Sequence, residues 1–239
     1  MSTNSLIPIV LSSFFAGFAV FVGGWLASVA ERRLKKSIES YILHWTVAFG
    51  GGILVAAVAF VLVPKGIELF SVPWLITLFL AGALCFYFID QWIAKKGGLL
   101  AQTMAMLMDF IPEALALGAV FAHHHQLGIL LAFFIGFQNL PESFNAYFDL
   151  RKSQQPAGRI LTIFFCLSFL GPLLAVTGNC FLADVPRLTG GIMLFSAGGI
   201  LYLIFQDIAP ASKINNHWEA ALGANLGFMI GMVGAKIFG

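Results

Sequence analysis

Two segments of the sequence carry one polar pattern twice, 29 residues apart: Asp109-Phe-Ile-Pro112-Glu113-Ala and Gln138-Asn139-Leu-Pro141-Glu142-Ser. In each copy the first polar residue and the glutamate stand at i and i+4, on one face of a helix. The proline between them lacks an N–H and disrupts the bond to the carbonyl four residues earlier, Met108 in the first copy and Phe137 in the second. Asp109, Glu113 and Glu142, with the amide oxygens of Gln138 and the adjacent Asn139, make an all-oxygen donor set of the kind that holds a divalent cation.

The elements that must position these residues are ones in which charge is costly. Of 239 residues, 59% are hydrophobic and only 10% charged, and the mean hydropathy is +0.92. A soluble domain carries about a quarter charged residues, so the composition argues against a water-soluble enzyme. Apolar runs cover residues 6–28, 41–63, 71–93, 99–122, 126–148, 160–182, 188–209 and 218–238. Each is unbroken and about twice the length of a membrane strand, so each predicts a transmembrane helix. The first run has no positively charged leader or small-residue cleavage pattern, and it is expected to remain as a helix. The expected fold is an all-α membrane protein of eight spans in a single domain over 1–239, with no room for a soluble one. A net charge of +2 gives no reason to expect nucleic acid. Cys85, Cys166 and Cys180 fall in apolar runs at no metal-ligand spacing and read as small core residues.

The loops set the orientation. Ten of the 13 basic residues follow spans one, three, five and seven: Arg32, Arg33, Lys35, Lys36, Lys95, Lys96, Arg151, Lys152, Arg159 and Lys213. Only Lys65, Arg187 and Lys236 fall on the other side. By the positive-inside rule the basic side is cytoplasmic and both termini are extracytoplasmic. All five Trp fall near span ends, as interface anchors do; His44 and His217, each beside a Trp, read the same way.

Against this frame the motif carboxylates stand out. Asp109 and Glu113 lie in the fourth span and Glu142 in the fifth, while no Lys or Arg lies mid-span anywhere. An acidic residue near a span's centre costs roughly 2.5–3.5 kcal/mol on insertion scales. The compensating charge must therefore come from protons, water or a bound cation. The loop between the two spans is short, so they are expected to be antiparallel neighbours with their polar faces apposed. A plainer reading, in which the acids are protonated and hydrogen-bonded to one another, stays open at this point. Asp90 has Lys95 and Lys96 near it in sequence, Glu31-Arg32-Arg33 reads as an orientation signal, and Gly50-Gly51-Gly52 as a close-packing site. His123-His124-His125 is a polar turn or a metal-gathering mouth.

At the two motifs the chain resembles the ZIP (Zrt/Irt-like) divalent-metal transporters, whose fourth span typically carries His-Asn-x-Pro-Glu-Gly and whose fifth carries a related Pro-Glu motif. The likeness extends to Phe18 to Ala27, to Phe88-Ile89-Asp90 and to Gln206-Asp207 with Pro210. It implies a ZIP-like helix bundle with a principal metal site at Asp109, Glu113, Gln138 and Glu142, and an exit-side acid at Asp207. A second metal site looks dismantled, with Phe110, Asn139, Gly171 and Val61 at its positions; Asn139 stays a candidate ligand of the first site. The His-rich loop after the third span is missing, leaving Lys95 to Gly98. The resemblance further implies that spans one, four, five and six move as a block against the rest.

The expected function is transport of a divalent metal toward the cytoplasm, with the metal (Mn, Fe, Zn or Mg) as substrate and no enzymatic activity. Carboxylate in place of imidazole shifts the site toward harder cations such as Mn²⁺, Fe²⁺ or Mg²⁺. The alternative is a metal-sensing or regulatory membrane protein; an intramembrane hydrolase is disfavoured because no buried His is on offer. The expected partners are the metal cation and the lipid bilayer, a homodimer stays open, and the expected location is the plasma or inner membrane.

Overall fold

The computed structural model describes residues 3–96, 98–213 and 218–238. Its described residues form eight helices long and apolar enough to cross a membrane, and no strand. They are α1 (Thr3–Arg33), α2 (Lys36–Leu69), α3 (Val72–Lys96), α4 (Gly98–Phe121), α5 (His125–Lys152), α6 (Ala157–Leu182), α7 (Pro186–Ala211) and α8 (Ala220–Phe238). Each expected run contains one helix, though α2 starts earlier and ends later than its apolar stretch, because backbone satisfied within a helix continues past the last apolar residue. Pro73 and Pro186 stand at helix starts, where a missing N–H costs nothing. Arg32, Arg33, Lys95, Lys96, Arg151 and Lys152 fill last turns, where cations meet the C-terminal dipole, and define a basic end of the bundle. His123 to His125 mark the opposite, histidine end. His217 and Gly97 lie outside the described residues.

Three helices depart from regular α geometry beside a proline. In α2 the turn Val58–Leu62 widens to i→i+5 bonding two residues before Pro64, with the Val63 N–H reaching the Val58 carbonyl. In α7 the turn Ile204–Ile208 does the same before Pro210, with the Ala209 N–H on the Ile204 carbonyl. Helix α6 is interrupted at Phe169, where Pro172 removes the donor for the Ser168 carbonyl.

The helices pack most extensively as α1 on α5, α2 on α8, α3 on α7 and α4 on α6. Glycines permit the approach. A Cβ on Gly52 would lie 2.0 Å from the Ala224 carbonyl of α8, and one on Gly198 would lie 2.0 Å from the Phe79 carbonyl of α3. Exchanging α1 with α6, α2 with α7, α3 with α8 and α4 with α5 maps these four pairs onto one another. The packing pattern is thus symmetric under this exchange. Two sets result, α1/α4/α5/α6 and α2/α3/α7/α8, which meet where α2 and α7 face α5 and α4.

Candidate metal centre

Helix α4 presents Asp109 and Glu113 on one face, and α5 presents Gln138 and Glu142. Asp109, Gln138 and Glu142 line one cavity of about 130 Å³ between the two helix sets, with Asn145 of α5, Asp207 of α7 and the bare backbone of Gly50 and Gly51 of α2. Asp109 is 4% exposed, Glu113 2% and Gln138 1%. The Phe110 N–H donates to Asp109 Oδ1 at 2.8 Å, fixing one carboxylate oxygen. Gln138 Nε2 donates to Glu113 Oε2. That bond leaves Gln138 Oε1 buried with no hydrogen-bond partner. Glu113 thus stands behind Gln138, outside the cavity wall.

Four of the six candidate residues, Asp109, Gln138, Glu142 and Asp207, line the cavity, and Glu113 joins them through Gln138. Asn139 does not. Its Nδ2 donates to the Ala16 carbonyl of α1 at 2.9 Å, so it ties α5 to α1. One residue on a helix is about 100° of rotation, which turns Asn139 away from the face shared by Gln138 and Glu142. Among the described residues no group of three or more His, Cys, Asp or Glu side chains is gathered closely enough to hold a metal ion. The amide of Gln138 ties Glu113 of α4 to the cavity-lining face of α5.

The charge deficit read from the sequence persists in three dimensions. The salt bridges among the described residues join Lys36 to Glu39, Lys65 to Glu68, Arg151 to Glu31, Lys152 to Asp149 and His123 to Asp184, and none reaches Asp109, Glu113 or Glu142. The cavity extends toward the basic end, past Ala105, Asn145 and Asp207. In the other direction Val58, Leu62, Leu117, Leu131 and Ile135 form a buried apolar layer. At the histidine end a separate vestibule of about 700 Å³ is lined by Val61, Lys65, Glu68 and His123 to His125. Seven residues of α2 separate Leu54 on the cavity from Val61 on the vestibule, about 10 Å at 1.5 Å per residue.

Several polar groups outside the cavity have partners that the sequence alone does not name. Glu31 accepts from Tyr147 Oη at 2.6 Å and from Arg151 Nε at 2.8 Å, binding α1 to α5 at the basic end. Asp90 accepts from Tyr202 Oη at 2.9 Å rather than from Lys95 or Lys96, and Lys96 lies over the Trp92 ring. Cys166 and Cys180 are exposed and Cys85 half-buried. They are not core residues, because on a membrane helix an apolar run can face lipid as readily as protein. His123 turns toward the α6–α7 connection, where its Nε2 meets the Ala183 carbonyl at 3.1 Å. Asn145 and the cavity-facing Gly50 and Gly51 were not read as site residues, although Asn145 stands one turn beyond Glu142 on its face.

Eight apolar spans around an interior cavity that holds carboxylate and amide side chains define a multi-pass integral membrane protein. The chain is similar to the zinc transporter GufA of Myxococcus xanthus, with 30% identity over 141 residues, 58% of this chain and 56% of that protein. The match thus spans little more than half the length of that relative. No protein-family model matches the chain.

Proposed function

We propose that the chain carries a divalent metal cation across its membrane through the cavity of Asp109, Gln138 and Glu142, toward the cytoplasm, in the manner of the ZIP transporters it resembles. The observation that carries this reading is the Gln138 carbonyl oxygen, buried and without a donor, on a cavity shared with two carboxylates that no protein cation approaches. A buried acceptor with no donor costs about 1–3 kcal/mol, and an ion with empty coordination positions removes that cost and the charge deficit together. Asp109, Gln138 and Glu142 are the primary ligands, Glu113 orients Gln138, and Asp207 receives the ion on its way to the basic side.

The similarity to a protein named as a zinc transporter supports a metal as cargo. The donors here are carboxylate and amide oxygens, harder than imidazole or thiolate, which favours Mn²⁺, Fe²⁺ or Mg²⁺ over Zn²⁺. The division of the bundle into two sets with the cavity between them supports alternating access, with α1, α4, α5 and α6 moving against the others. The chain acts as a carrier and not as an enzyme, in a plasma or inner membrane with both termini outside, alone or as a homodimer.

A second reading, a receptor that binds the cation without moving it, is favoured by one feature: the apolar layer closing the histidine end. Uptake of Mn²⁺ into reconstituted vesicles separates the two. Transport requires wild-type uptake well above that of Asp109→Ala/Glu142→Ala; equal uptake with Mn²⁺ binding retained in the wild type selects the receptor.

A further inference from the structure

Helices α2 and α7 share one plan at the two ends of the bundle and differ there in the charge they present. Three features of α2 and α7 coincide at a single offset of 146: Gly52 with Gly198, Val58 with Ile204 at the start of the widened turn, and Pro64 with Pro210. The two glycines are equivalent in packing as well as in position, since each receives a backbone carbonyl of its partner helix, Ala224 of α8 or Phe79 of α3. On this register Val61 stands where α7 has Asp207, and Lys65 stands where α7 has Ala211. The structure puts the members of the first pair at opposite mouths: Asp207 lines the cavity, and Val61 lines the vestibule with Lys65.

A cation at the basic mouth therefore meets a carboxylate. At the histidine mouth it meets the isopropyl group of Val61, 2% exposed, and an ammonium one turn further on. The remaining charged or titratable groups facing that vestibule are Glu68 and His123 to His125. Glu68 is bound to Lys65 Nζ at 2.8 Å, and the histidines supply no negative charge. Among the described residues that line the vestibule, the one acid is held by Lys65, so the pair presents no net negative charge to a cation.

We propose that Val61 and Lys65 make admission of the cation from the histidine end the slow step, so that the path is electrostatically one-sided. The inference rests on the transport reading for its direction but can fail apart from it. Val61→Asp gives the histidine end a carboxylate at the position that Asp207 holds on α7, and Lys65 at i+4 can hold the new carboxylate at the vestibule wall. Lys65→Ala reaches the same end without a new buried acid, by freeing Glu68. Charge at the mouth of a cleft raises association rates about tenfold or more at low ionic strength.

The test is initial Mn²⁺ influx from the histidine side, in proteoliposomes of matched orientation containing a Mn²⁺-quenched dye. Equilibrium Mn²⁺ affinity, measured separately, reports on folding and on the central site. Val61→Asp and Lys65→Ala are expected to raise influx about tenfold at unchanged affinity, and the gain should shrink in 0.5 M salt. The uncharged Val61→Asn should give no such gain. Wild-type influx with neither charge variant faster at intact affinity overturns the inference and leaves transport standing. Influx only in the charge variants upholds it and overturns transport by the native chain. No influx in any variant overturns both, and an equal gain in Val61→Asn overturns the charge argument.

Discussion

Replacing Asp109 by Asn should strengthen the metal-free protein and abolish its response to metal. The substitution keeps the shape and keeps an oxygen for the Phe110 N–H, which now donates at 2.8 Å. It removes a negative charge from a residue 4% exposed with no cationic side chain bonded to it. A mid-span carboxylate costs roughly 2.5–3.5 kcal/mol on insertion scales. A hydrogen bond to a charged group offsets about 1.5–3 kcal/mol of that, so the metal-free protein should gain about 1 kcal/mol. In the wild type, a ligand at a hundred times its Kd adds about 2.7 kcal/mol. For a chain of this size each kcal/mol moves the melting midpoint about 2–4 °C. Melting the purified protein in nanodiscs should therefore show wild type rising about 5–10 °C in saturating Mn²⁺. Asp109→Asn should start a few degrees higher and not move. A metal-induced rise of equal size in the variant, or none in the wild type, would refute the reasoning that the buried charge exists to meet a cation.

Gln138→Leu should lower Mn²⁺ affinity at least tenfold in calorimetry, because it deletes the unpartnered acceptor and leaves Glu113 without its donor. Tyr147→Phe removes one of the two bonds holding Glu31; it should lower the melting midpoint, by about 1–2 kcal/mol in stability, while Mn²⁺ affinity at the distant cavity stays within about twofold. Gly52→Ala forces a methyl onto the Ala224 carbonyl and should destabilise by about 1–3 kcal/mol in the same melts. Gly50→Ala meets only the Pro141 ring, at 2.8 Å, and should cost less stability than Gly52→Ala while slowing uptake more. Metal affinity should fall steadily on acidification, since protons compete for carboxylate ligands; a pH-independent affinity titration would count against Asp109 and Glu142 as ligands.

The helices could be read from the sequence because lipid leaves a spanning backbone few alternatives, and the face of Gln138 and Glu142 could be read because i and i+4 fix it. The same rotation carries Asn139 toward α1, a signal present in the sequence but outweighed by its place within the repeated motif. What could not be read was partnership. Short loops made α4 and α5 neighbours, yet α5 packs most extensively on α1 and α4 on α6. Those contacts join residues more than 50 positions apart, and their determinants are glycines, whose absent side chains do not name a partner. The partners of Glu31 were out of reach for the same reason. Its nearest charges in sequence are Arg32 and Arg33, but Arg32 and Arg33 follow it round the helix while Tyr147 and Arg151 arrive from α5.

Gly50, Gly51 and Gly52 show how packing and site are one problem. Consecutive residues on a helix point about 100° apart, so three glycines in a row bare the backbone of α2 toward three different neighbours. Gly50 faces Pro141 of α5, Gly51 faces Ile208 of α7, and Gly52 faces the Ala224 carbonyl of α8. Two of these contacts lie within one helix set. Only Gly50 touches the other set, and it does so at the proline of the repeated Pro-Glu motif. Gly50 and Gly51 also form part of the cavity wall, where any side chain would take space beside Asp109 and Glu142. A run of glycine that looks, in the sequence, like a packing detail is thus the place where α2 grips its own set on two sides and leaves a smooth bearing and an open cavity on the third. A carrier of the proposed kind needs both at one level, because the ion must be enclosed between the surfaces that move.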